Sequence, residues 1–213
     1  MKKKLMLYLL CMLTFSACNS SGKNGKEETL YSGEIRIAVD ESFKPIMEEE
    51  LQVYQALTPE ASITPVYCSE VEAVNLLLKD SVRLAITNRR LTEKELISFH
   101  ARKFFPESIQ MASSGIALIT HHCNPDSLIT VEDFRRIATG EITEWKELNP
   151  KSRLGRMQVV FDNPNSGTVH YVIDSICQGK PLSSSLKARK SNEEVIDYVA
   201  ATPDAIGIIG ANW

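Results

Sequence analysis

Apolar positions alternate with polar ones in residues 34–39 (EIRIAV) and then recur at a helical spacing through residues 41–57, at Phe43, Ile46, Met47, Leu51, Tyr54 and Leu57. The first stretch predicts a strand and the second a helix, with Pro45 in its first turn, where a missing N–H is tolerated. The alternation continues along the chain. Strands are predicted at 62–68 and 82–87, and helices at 69–80 and 92–104, the latter opening with Thr92 and Glu95 in capping-box spacing. One or two strands are expected within 109–120. A helix over 130–140 ends at Gly140, a strand follows at 157–162, helices at 166–178 and 192–202, and a last strand at 205–210. Strands that alternate with helices predict an α/β fold with a parallel sheet covered by helices.

The first 32 residues stand outside this pattern. Met1-Lys2-Lys3-Lys4 is a basic start, and the apolar run after it is too short for a typical membrane span. It ends in Phe15-Ser16-Ala17-Cys18, which resembles the lipobox of bacterial lipoproteins, with Phe15 where leucine is usual. The resemblance implies a signal peptide over 1–17 and lipidation of Cys18. The other reading is an ordinary secretory signal with an incidental cysteine, and both export the protein. Residues 18–32 read as the lipidated cysteine and a polar tether.

Net charge is −3, so nothing draws a polyanion and no nucleic-acid partner is expected. Beyond the leader, Cys68, Cys123 and Cys177 leave room for one disulfide and a free thiol, with the pairing open. No metal-ligand spacing is present, and no metal or cofactor is expected. Adjacent imidazoles on extended backbone point apart, so His121-His122 reads as a loop pair. His100, Trp145 and Trp213 read as packing residues.

Candidate chemistry gathers where strands hand over to helices, at Asp40-Glu41-Ser42, at Cys68-Ser69-Glu70 and at Asn165-Ser166-Gly167-Thr168. In open α/β sheets, ligands bind beyond the carboxyl ends of strands. Helix-initial N–H groups and hydroxyls can together surround an oxyanion. For each hydroxyl the alternative is a plain N-cap. A Ser-His-Asp hydrolase reading of Asp162, Ser166 and His170 fails on alignment across Pro164 and on the missing Gly-x-Ser-x-Gly elbow. The chemistry expected is binding, not turnover.

ITVEDFRRIATGEITEWKEL (129–148) resembles the helix followed by I-x-T-G-x-I-x-x-W-x-x-L of the phosphate-binding proteins of ABC transporters. LAITNRRLTEKE (84–95), NPNSGTVHY (163–171) and PDAIGIIGANW (203–213) agree with that family in the same order. The resemblance implies a two-lobe, type II periplasmic binding protein-like fold, incomplete at the C-terminus. Lobe 1 would span 33–114, lobe 2 115–206, and 207–213 would begin the return crossover. It further implies a monomer on the periplasmic face of a bacterial membrane, held by its lipid, which captures inorganic phosphate or a similar oxyanion for an ABC permease. A lipoprotein of the same fold acting as a sensor or interaction module is the alternative.

Carried over position by position, the implied ligand-binding residues are Ser42, Ser69, Asn88, Arg89, Asp162, Ser166, Gly167 and Thr168. Two departures stand out. The family carries an arginine four residues before Ser-Gly-Thr, where this chain has Asp162. It also carries an aspartate after the third strand that accepts the proton of a phosphate hydroxyl, where this chain has Thr87-Asn88. Arg89 or Arg90 can restore the cation, or can remain a solvated loop pair. Asp162 either accepts from a protonated ligand, caps its own turn, or pairs with Arg89 or Arg90, and the last is the expectation taken forward.

Overall fold

A computed structural model describes residue 29, residues 31–126 and residues 128–213. The signal-peptide reading and Cys18 therefore lie outside the described residues. Two sheets organise the chain. The first is parallel, in the order β2-β1-β3, with β1 at Gly33–Asp40, β2 at Ala61–Cys68 and β3 at Leu84–Ile86. The last four residues of β1 are all buried, so the strand delivers Asp40 into the interior at its carboxyl end.

Between β1 and β2 lie a 3-10 turn, Glu41–Phe43, and α1, Lys44–Leu57. The single helix predicted from residue 41 is thus divided, because the Asp40 carboxylate takes the Ser42 N–H and tightens the first turn. α2 (Glu70–Leu78) is capped by the Ser69 hydroxyl. α3 (Glu93–Ala101) carries the capping box expected of Thr92 and Glu95.

The second sheet has the order β4-β7-β5-β6, with β4 at Ile116–Thr120, β5 at Gln158–Phe161, β6 at Lys187–Ala188 and β7 at Ala205–Gly210. β7 lies antiparallel to β4 and parallel to β5, and all six of its residues are buried. It runs through position 207 to Gly210 inside this sheet, so the chain turns back towards the first lobe only after it. There the Asn212 amide and the Trp213 indole N–H both donate to the Ser42 carbonyl, at 2.7 and 3.0 Å.

α4 (Val131–Thr139) stops at Gly140, whose φ of +84° is the left-handed cap the sequence called for. α5 (Trp145–Leu148) and the two-residue β6 carry too little pattern to be predicted. The helix expected over 166–178 is instead α6 (Gly167–Tyr171), widening into a π-helical turn at Val172–Ile176. α7 (Asn192–Ala201) packs on β7. Of the segment 109–120, only β4 forms a strand.

The largest apolar cluster belongs to the second lobe and includes Phe134, Ile137, Trp145, Val172, Ile206 and Ile208. A smaller one, Val160, Val195, Val199, Ala205 and Ile209, fills the opposite face of the same sheet. Trp145 is fully buried, and its indole N–H reaches the Asp204 carbonyl at 3.0 Å. Among the described residues no helix is long and apolar enough to cross a membrane.

Candidate functional site

The carboxyl ends of β1 and β5 face each other across the lobes, and a cleft of about 140 Å³ opens between them. Tyr67, Cys68 and Ser69 line it from the first lobe, and Asn163, Ser166 and Lys190 from the second, with Asp40, Glu41 and Asp162 beneath. A larger hollow of about 220 Å³ lies among Leu77, Leu78, Phe99 and Phe104 of the first lobe. It is away from the strand ends where polar donors converge, so the smaller cleft is the candidate.

Of the expected ligand residues, Ser42, Asn88, Asp162, Ser166 and Gly167 meet at the lobe junction. Ser42, Asp162, Ser166 and Thr168 are buried. Gly167 shows why that position has no side chain: a Cβ there would stand 2.1 Å from Asn88 Nδ2. Ser69 lines the cleft, while its hydroxyl accepts the Glu72 N–H at 3.4 Å as a helix cap.

Asp40 is the hub. Its Oδ1 accepts from Ser42 N at 3.0 Å and Ser42 Oγ at 2.9 Å. Its Oδ2 accepts from Asn88 Nδ2 at 3.2 Å and, across the lobes, from Gly167 N at 3.1 Å. Burial pushes this carboxyl above its ordinary value and the charge of Glu70 adds to the rise, while the bonds from Ser42 and Gly167 oppose it.

The expected pairing of Asp162 with Arg89 or Arg90 does not occur. Asp162 Oδ1 accepts the Ser166 hydroxyl at 2.7 Å, and Asn192 Nδ2 lies 3.4 Å from its Oδ2. Its carboxyl, buried and near the charges of Asp40 and Glu41, is pushed up to about 7. Arg89 turns the other way. Its Nε donates to Glu70 Oε1 at 2.9 Å, and its terminal nitrogens donate to both oxygens of Glu95 at 2.8 and 2.9 Å. The reason is geometric: a planar guanidinium fits a carboxylate fork, and Glu95 stands six residues on, in the first turn of α3. That contact holds Glu95 down at about 2.

Three residues outside the expected set join the two lobes. Buried Glu70 accepts from Asn88 N at 3.2 Å, and its Oε1 lies 2.9 Å from His170 Nδ1 on α6. Fully buried Asn192 donates to Glu41 at 2.7 Å and accepts from Gly210 N at 3.1 Å. Only proximity in the folded chain brings these groups together. The signal available in the sequence was the pair of acidic junctions themselves, Asp40-Glu41 and Glu70. Ser166 gives its hydroxyl proton to Asp162 while His170 faces Glu70, an order unlike that of a serine nucleophile and its base.

His121 and His122 do not point apart as expected. A turn follows β4 and brings their rings to 4.2 Å between centroids, and Cys123 N donates to His121 Nδ1 at 3.1 Å. With Cys123 they place three donor atoms within 4.8 Å of one another on the surface, the group of described residues that could hold a metal ion. Cys68, Cys123 and Cys177 are all free thiols. Burial first, then Glu72 and Asp40, raises the Cys68 thiol to about 11.

A family model for the PBP superfamily domain matches residues 24–213. The phosphate-binding protein PstS of Borreliella burgdorferi is 26% identical over 220 residues, covering 99% of this chain and 73% of that protein. The phosphate-binding protein PstS of Bacillus subtilis is 25% identical over 225 residues, covering 100% of this chain and 72% of that one. A Clostridium perfringens structure, assigned as a phosphate ABC transporter substrate-binding protein and solved with bound phosphate, superposes with a TM-score of 0.74. At 24% identity, with 84% of this chain and 71% of that one covered, this match speaks for the fold alone. With the family model spanning both sheets, the chain belongs to the PBP superfamily and has the two-lobe α/β fold of type II periplasmic binding proteins.

Proposed function

We propose that the protein is an exported, lipid-anchored solute receptor that takes a small oxyanion, inorganic phosphate first, between its lobes and passes it to an ABC permease. The observation that carries this reading is a cleft walled by both lobes, with Ser69 from the first and Ser166 from the second, and with Ser42, Asn88 and Gly167 gathered on Asp40 in its wall. Such receptors work by hinge closure, and a cleft whose walls come from two lobes is made or broken by that motion. Relatives named for phosphate binding, at 25–26% identity over nearly the whole chain, point to the same ligand. The chemistry is capture and release. Cys18 would hold the receptor at the membrane, and its role is tested by fractionation of a Cys18→Ser variant, which should leave the membrane for the soluble fraction.

The binding reading is tested by melting the processed protein in phosphate-free buffer with phosphate or sulfate added. A ligand of the native state alone should raise Tm by roughly 5–10 °C at a hundredfold excess over Kd. A melt indifferent to phosphate at millimolar concentration would sink the phosphate reading. One observation favours the second reading, a sensor or interaction module without transport. The cleft presents carboxylates, Asp162 among them, where a receptor for anions gains from a cation.

A further inference from the structure

The donors that the receptor reading assigns to an oxyanion are already engaged by a group of this chain. We propose that Asp40 is an internal competitor for the ligand: its carboxylate latches the two lobes together, and an oxyanion enters only by displacing it. This rests on the reading that the cleft takes an oxyanion.

A carboxylate offers about four acceptor directions on its two oxygens. Asp40 has four donors around it, namely Ser42 N, Ser42 Oγ, Asn88 Nδ2 and Gly167 N. Three of the residues expected to donate to a ligand, Ser42, Asn88 and Gly167, therefore donate to Asp40 instead. The first two belong to its own lobe and the third to the opposite lobe, so the carboxylate spans the junction as a bound anion would. Asn88 Nδ2 also donates to Ser42 Oγ at 3.0 Å, closing a ring of polar contacts. Gly167 lies against Asn88 too closely to admit even a methyl group. No room for an oxyanion remains between Asn88 and Gly167 while the latch is in place.

The charges facing Asp40 make the latch reversible. Glu41 on its own turn, Glu70 on α2 and Asp162 after β5 are all acidic, and burial already disfavours the charged carboxyl. Arg89 is held by Glu70 and Glu95, and His170 by Glu70, so neither neutralises Asp40 directly. Lys190 lines the cleft from the second lobe. Hydrogen bonds hold the carboxylate in place against like-charge repulsion, and the same repulsion opposes a second anion beside it.

The test compares the natural chain with Asp40→Asn and Asp40→Ser by two readouts. Asp40→Asn keeps the size and one oxygen for Ser42 but loses the second acceptor, so it decides the matter if Asp40→Ser fails to fold. Without ligand, amide exchange at Gly167 should quicken roughly tenfold, as expected for one lost charge-assisted bond across the lobes. In calorimetric titration with inorganic phosphate, affinity should rise by a similar factor of about ten. Unchanged exchange at Gly167 overturns the latch whatever phosphate does. If the natural chain binds phosphate and the variants bind it no more tightly, the competitor role falls and the receptor reading stands. If neither the natural chain nor either variant binds phosphate, the receptor reading falls and the competitor role with it, while exchange still decides the latch.

Discussion

In the second lobe a wholly buried strand, β7, runs between β4 and β5, with apolar side chains packed on both faces of the sheet. In the first lobe the outer helix α1 has no buried residue, and the cluster beneath the sheet is Ala38, Ala73 and Val82. Along α1, Ile46 is 50%, Val53 58% and Leu57 77% exposed. The two halves share an architecture and differ in what holds it. The second lobe is held by its own apolar core. The first leans on polar contacts to the second: Asp40 on Gly167, Glu70 on His170, Glu41 on Asn192, and the Ser42 carbonyl on Trp213. The candidate cleft and the junction that supports the first lobe therefore share Asp40 and Glu41.

The largest effect should come from breaking the stronger half. Trp145→Ala removes a fully buried indole and leaves the Asp204 carbonyl without that donor. It should lower stability by about 3–5 kcal/mol, read as a fall in the urea midpoint. If the midpoint hardly moves, the second lobe is not the stable half and the comparison fails.

The junction comes next, and its sign follows from Asp162. The folded carboxyl titrates near 7, above the 3.8 of the free group, so the folded state holds its proton more tightly. The stability this contributes is fully present below about pH 3.8 and is lost as pH rises through about 7. Asp162→Asn removes that loss while keeping an oxygen for the Ser166 hydroxyl. The variant should gain on the order of 2–4 kcal/mol relative to the natural chain between pH 4 and pH 8, in denaturant melts at each pH. A constant difference across that range would show that Asp162 does not titrate as its surroundings imply.

Much of the architecture was legible because helix caps and strand alternation are local. Thr92 with Glu95, and Gly140 after its helix, act within one turn of where they stand in the sequence. The strand-to-helix junctions also meet at the candidate cleft, since the ends of parallel strands collect at one edge of a sheet. What stayed hidden were partners chosen by packing. Arg89 could be seen as a cation, but Glu70 and Glu95 reach it first. Asp40 could be seen at the end of its strand, but its contact with Gly167 joins groups 127 residues apart. Asn192 reads as the first residue of a helix, and only the folded chain places its amide between Glu41 and Gly210.

The smallest expected effect sharpens the contrast from the other side. Val53 lies on the outer face of α1, more than half exposed, so truncating it removes little apolar surface from the interior. Alanine is also the better helix former, because valine loses side-chain freedom against the preceding turn. Val53→Ala should therefore change stability by no more than about 0.5 kcal/mol, with a stabilising sign, in the same urea melts that read Trp145→Ala. A loss of ~1 kcal/mol or more would mean that this face of α1 is covered in solution, because only a buried valine gives up that much when two methyl groups are removed. The weakness of the first lobe would then be a property of the isolated chain, and the difference between the halves would narrow once the covering surface was in place.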